Sequence, residues 1–93
     1  MEWLASGTRR DVCILLYGRE LGAQTLKSEL EARYDRRVKP DRFYGAVEAL
    51  ESTGHVEKHV EGLEDVYTLT EAGRTQVEAQ YEWLHERLEA DAA

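Results

Sequence analysis

The chain has 93 residues, a formal net charge of −7 and a single cysteine. One cysteine excludes an internal disulfide framework and a thiolate metal cluster, and the longest apolar run, residues 12–17, is far short of the ~20 residues of a membrane helix. No segment resembles a signal peptide, so the expectation is one small domain, residues 1–93, soluble and cytoplasmic.

Chains of this length bury only roughly 60–65% of their unfolded surface, and pairing two copies through an apolar face would add burial. The charge is unevenly spread. Residues 33–42 hold five basic and two acidic residues, net +3, whereas residues 43–93 hold three basic and twelve acidic ones, net −9. Residues 1–32, with four basic and five acidic residues, are close to neutral. An acidic, Glu-rich, Lys-poor composition fits a protein that works in concentrated salt.

Thr8 and Asp11 have the spacing of an N-terminal capping box, with Asp in place of the usual Glu. A first helix is expected from there to about Tyr17, with Val12, Leu15 and Leu16 on its core face and Gly18 as its stop. A second helix, residues 23–34, turns Leu26, Leu30 and Tyr34 inward and Lys27, Ser28, Glu31 and Arg33 outward. Residues 35–39 form a turn. Pro40 suits the first position of a third helix, where its missing N–H would be unpaired anyway.

Phe43, Val47 and Leu50 form the buried stripe of that helix, and Gly54 ends it. Two strands follow, residues 56–60 and 65–69, joined by the turn Glu61-Gly62-Leu63-Glu64. Alternation sets Val56, Lys58 and Val60 against Glu57 and His59, and Val66 and Thr68 against Tyr67 and Leu69. Thr70 caps a last helix reaching about Ala90. Its Val77, Tyr81, Leu84 and Leu88 step by 4, 3 and 4, a short heptad seam.

The order helix, helix, helix, hairpin, helix is that of a winged helix-turn-helix. The fold class is thus α+β, mainly α, with three helices, a two-stranded wing and a long C-terminal helix. The run KPDRFYGAVEALESTGHVEKHV, residues 39–60, and the run DVYTLTEAGR, residues 65–74, resemble PadR-like winged-helix transcription regulators. The chain is similar, too, to small repressor-type regulators of haloarchaeal viruses and their hosts. The shared pattern is a Pro, a hydrophobe-Tyr pair, spaced aliphatics, a Gly and a hydrophobic strand, then Tyr-x-Leu-Thr-x-x-Gly. The resemblance implies a homodimeric regulator of transcription that binds double-stranded DNA and pairs through its C-terminal helix. Two departures stand out: Glu48 and Ala49 where basic side chains are frequent, and Glu61, Glu64 and Asp65 at the wing tip.

On this reading Arg36, Arg37, Lys39 and Arg42 stand at the turn and the start of the third helix, the end that enters a major groove. Asp41 lies among them. Guanidinium forks and helix N–H groups there can hold phosphates, and Arg42 can reach a guanine edge. Tyr44 offers a hydroxyl to a phosphate or packs on the second helix, and Gly45 permits close approach to a duplex. Lys27, with Thr25 and Ser28, is a weaker backbone contact. The dimer interface is expected to use Val77, Tyr81, Trp83, Leu84 and Leu88, joined by Trp3 and Leu4.

Other chemistries find little purchase. His55 and His59 are four residues apart, ~13 Å along a strand, and His85 is on a separate helix, so no metal site is expected. Cys13 sits on an apolar helix and reads as a core thiol. No carboxylate pair, phosphate loop or nucleophile-base pattern suggests an enzyme or a cofactor. A small-molecule effector would have to lie between the first and last helices, where nothing in the sequence marks a pocket. The rival reading is a winged-helix protein-interaction module that does not touch DNA.

Overall fold

Apolar positions at helical and strand spacing converge on one cluster, which α1 (Gly7–Leu16), α2 (Ala23–Tyr34) and α3 (Pro40–Ser52) surround. The computed structural model describes residues 7–92; Trp3 and Leu4 lie outside them. A short strand β1 (Glu20–Gly22) separates α1 from α2, the hairpin β2 (Val56–Glu61) and β3 (Glu64–Leu69) follows α3, and α4 (Glu71–Ala92) ends the chain. Val12, Cys13 and Leu16 meet Leu26, Leu30, Phe43, Val47 and Leu50, all fully buried. Burial pushes the Cys13 thiol up to about 12, which keeps it a protonated core group.

The end of α1 is built by residues on both sides of a glycine. Gly18 takes φ +73°, a left-handed conformation that favours glycine, and the Arg19 N–H donates to the Leu16 carbonyl at 2.9 Å. The Arg19 guanidinium then donates to the Leu15 carbonyl at 2.7 Å and to the Glu29 carboxylate at 2.6 and 3.2 Å, tying α1 to α2. The start of α1 differs from expectation. The helix already includes Gly7, so Thr8 lies inside it, and Asp11 accepts the Tyr34 hydroxyl at 2.6 Å instead of closing a capping box. A tertiary donor outcompeted the local one.

The sheet has three antiparallel strands in the order β1-β3-β2, one more than the sequence disclosed. Glu20, Leu21 and Gly22 pair with Thr68, Tyr67 and Val66. Three residues with no repeat carry no periodic signal, which is why β1 was missed. The turn Glu61-Gly62-Leu63-Glu64 falls where expected, with each strand one residue longer: Glu61 pairs with Glu64, leaving Gly62 and Leu63 between strands. Gly62 at φ +63° and Leu63 at an ordinary φ match a type II′ turn. Only Val56 of β2 is buried, so Val60 does not join it, and both Val66 and Tyr67 of β3 are. Tyr67 enters the core, and burial is the main cause of its hydroxyl being pushed up to about 12.

Thr70 caps α4 as expected: its hydroxyl oxygen accepts the Gly73 N–H at 3.1 Å. The same hydroxyl donates to the Gly54 carbonyl at 2.6 Å, and the Thr70 N–H donates to the His55 carbonyl at 3.1 Å. Gly73 lies so close to that carbonyl that a β-carbon would collide with its oxygen. Threonine and glycine together dock α4 on the α3–β2 junction. Beyond it the 22-residue helix projects for ~33 Å, giving the molecule extents of 51 × 29 × 22 Å. Among the described residues no helix is long and apolar enough to cross a membrane.

Replacing Gly73 by Ala is expected to cost about 1–3 kcal/mol, since backbone must move to admit the methyl group. At Gly45, where nothing lies within 4 Å, the same change should stabilise α3 by up to ~1 kcal/mol. Urea unfolding of the two variants measures both signs.

Candidate nucleic-acid interface

The turn from α2 to α3 is shaped by one carboxylate. Asp35 ends α2 in a left-handed conformation, φ +54°, and the Arg36 N–H returns to the Glu31 carbonyl at 3.2 Å. The Glu31 side chain accepts the Val38 N–H at 2.8 Å and the Lys27 ammonium at 3.1 Å. Val38 is thereby held inward and buried, so Arg36, Arg37 and Lys39 on either side of it face solvent. The Val38 N–H first, and then Lys27, hold the Glu31 carboxyl below the usual range.

Pro40 opens α3 and the Phe43 N–H donates to the Lys39 carbonyl at 3.0 Å, which places Arg42 in the first exposed turn. Arg36, Arg37, Lys39 and Arg42 line one concavity of about 280 Å³ with Thr8, Tyr34 and Val38. The Arg36 guanidinium lies 5.8 Å from the Tyr34 ring centroid. Among the described residues none of these four cations forms an ion pair. Arg42 also borders a neighbouring hollow of about 300 Å³, whose walls include Thr8 and Arg9 of α1 and Gly45 and Ala49 of α3. The four basic side chains expected from the sequence thus share one face.

The remaining candidates divide. Gly45 is exposed and open, as close approach by another molecule requires. Asp41 accepts the Arg42 backbone N–H at 3.0 Å and complements the helix dipole in the first turn. Tyr44 is half-buried, with its ring edge-on to Phe43 at 5.1 Å between centroids, a packing role. Lys27 is occupied by Glu31. Thr8 and Arg9 at the mouth of the site were not anticipated; no local pattern could disclose them, because the start of α1 reaches α3 only through the tertiary fold.

A second surface lies at the other end. Tyr81, Trp83, Leu84 and Leu88 are 65, 58, 46 and 63% exposed along α4, and Val77 is half-buried at their base. Ile14 of α1 and Tyr17 just past its end, also exposed, lie beside α4, and Tyr17 donates its hydroxyl to Glu78 at 2.6 Å. Between the helices is a hollow of about 600 Å³ lined by Ile14, Tyr17, Val77, Glu78, Tyr81 and Glu82. The sequence had marked no pocket there. Single exposed apolar residues are ordinary; here Ile14, Tyr17, Val77 and Tyr81 are grouped around one hollow.

This architecture is a winged helix-turn-helix, with α2 and α3 as the helix pair and β2–β3 as the wing. No protein-family model and no curated protein matches the chain. Among solved structures it is similar to RosR of H. salinarum in a complex structure, at 27% identity and TM-score 0.87 over 94% of this chain and 79% of that one. It is similar to the homodimeric winged helix-turn-helix DNA-binding domain of a possible ArsR-family transcriptional regulator from Mycobacterium bovis. That match has TM-score 0.70 and 20% identity, covering 91% of this chain and 73% of the other. An ArsR family transcriptional regulator matches at 27% identity and TM-score 0.63, over 99% of this chain and 91% of its own. The structural neighbours are thus winged-helix regulators of transcription.

Glu31 carries a pH signature. Its carboxyl is depressed in the fold, so its stabilisation is complete above the unfolded value near 4.5 and fades as pH falls through the lower folded value. Glu31→Gln should therefore be less stable than the parent at pH 7, with the difference shrinking below about pH 4.5. Denaturant titrations of both proteins at several pH values check this.

Proposed function

We propose that the protein is a sequence-specific, DNA-binding transcription regulator that acts as a homodimer. The observation that carries the proposal is the set of Arg36, Arg37, Lys39 and Arg42 on one exposed face, unpaired among the described residues, at the N-terminal end of α3. That end of a recognition helix enters the major groove, where guanidinium forks hold phosphates and read guanine. The neighbours named as regulators, one of them as a DNA-binding domain, support the same reading.

Residues 71–90 serve as the dimerisation helix, the two copies joined along Val77, Tyr81, Trp83, Leu84 and Leu88; the M. bovis neighbour is described as homodimeric. Two-fold symmetry then calls for a palindromic operator with half-sites ~34 Å, or a multiple of that, apart. Occupying it would exclude polymerase, so we assign a repressor role. Within the class, the Tyr67-Thr68-Leu69-Thr70 and Gly73 run supports a PadR-like subtype.

Acidic composition and the H. salinarum neighbour support work in concentrated salt. There the Debye length drops below ~3 Å, which silences the repulsion between DNA and the acidic α4. Counterion release weakens as well, so direct hydrogen bonds at the basic face gain in share.

Reversing Arg36, Arg37 and Arg42 to Glu together should reduce operator affinity at least ~100-fold, while Arg42→Ala alone should cost about 1–3 kcal/mol and relax one base position. Footprinting across salt concentrations is the measurement. No protected sequence at any salt, or full promoter regulation after triple reversal, would leave the protein-interaction module as the better reading.

The Trp83→Glu, Leu84→Glu double variant should run as a monomer in light scattering where the parent runs as a dimer. A dimer that survives both substitutions would place the interface elsewhere.

A further inference from the structure

The outer face of the sheet carries a cluster that DNA binding does not use. The register sets Glu20, Thr68 and Glu57 in one cross-strand row and Gly22, Val66 and His59 in the next, on the face opposite Tyr67. Glu61, two residues beyond His59, returns to that face. There His59 Nε2 lies 3.7 Å from an oxygen of Glu20 and 3.7 Å from one of Glu61, and the three ligand atoms all lie within 4.8 Å of one another.

Two carboxylates thus converge on one imidazole nitrogen. That nitrogen carries at most one hydrogen, which serves one carboxylate at a time. Among the described residues no Lys or Arg ion-pairs with Glu20 or Glu61. A cation with several coordination positions satisfies all three groups together.

We propose that Glu20, His59 and Glu61 form a divalent metal site, with water completing the shell. One imidazole and two carboxylates suit manganese, ferrous iron or zinc rather than a soft ion. Metal bonds of ~2.0–2.2 Å require the donors to draw in slightly, which exposed glutamates on strands can do. The exposure of all three side chains makes the ion exchangeable, a signal rather than a structural pin. Its place is informative: Glu20 leads into α2 of the helix-turn-helix, while His59 and Glu61 belong to the wing. An ion across β3 links the strand that leads into that helix pair to the wing and neutralises acids on the sheet's outer face. The site stands on its own geometry whether or not the protein binds DNA.

The test uses the untagged full chain in chelator-free buffer. Calorimetric titration with Zn²⁺ should saturate at one ion per chain, and Glu20→Gln, His59→Gln and Glu61→Gln should each weaken binding at least ~10-fold. His85→Gln, whose imidazole lies 3.2 Å from Glu89 on α4, should leave binding unchanged. In the parent protein, Mn²⁺ should broaden the His59 ring resonances at concentrations that spare those of His55 and His85, a readout free of any folding defect. No saturable binding at millimolar Zn²⁺, binding that survives His59→Gln, or Mn²⁺ broadening centred on another histidine would overturn the proposal.

Discussion

The basic face depends on the Glu31 carboxylate. By accepting both the Val38 N–H and the Lys27 ammonium, it fixes how the chain passes from α2 to α3. A valine held inward between three cationic neighbours forces those neighbours out, and Pro40 then starts α3 at a set distance from them. The Arg36 N–H to Glu31 carbonyl bond and the burial of Val38 act with it to set residues 35–39. Hydrogen bonding inside the turn thus converts a composition bias, net +3 over ten residues, into a surface.

A polarised molecule follows. Cations gather around the start of α3, while the exposed part of α4 carries glutamates beside an apolar strip. Among the described residues α4 is anchored near its first turns, through Thr70, Gly73 and the Tyr17–Glu78 contact. This separates a cationic surface from an apolar one. The wing belongs to neither: its tip is acidic, with Leu63 fully exposed.

Legibility in the sequence followed the range of the interaction. Helix periodicity located α2 and α3 within a residue, and the stops at Gly18 and Gly54 both appear as positive-φ glycines, because a turn conformation is decided by the residue that adopts it. The Thr70 cap was legible for the same reason. The Thr8–Asp11 spacing misled because Tyr34, distant in sequence, claims the Asp11 carboxylate. The meeting of His59 with Glu20 has no mark along the chain, because Glu20 belongs to a strand with no periodic signal.

The order of the four helices and the hairpin, the location of the cationic stretch and the apolar spacing of the last helix were settled by sequence alone, since each rests on contacts within a few residues. Tertiary structure alone decided that β1 joins the sheet, that Thr8 and Arg9 flank Arg42, that a hollow opens beside α4, and that a histidine meets two glutamates. Such pairings join distant segments, and the free energy that selects them comes from burial and strand register, which leave no local pattern to read.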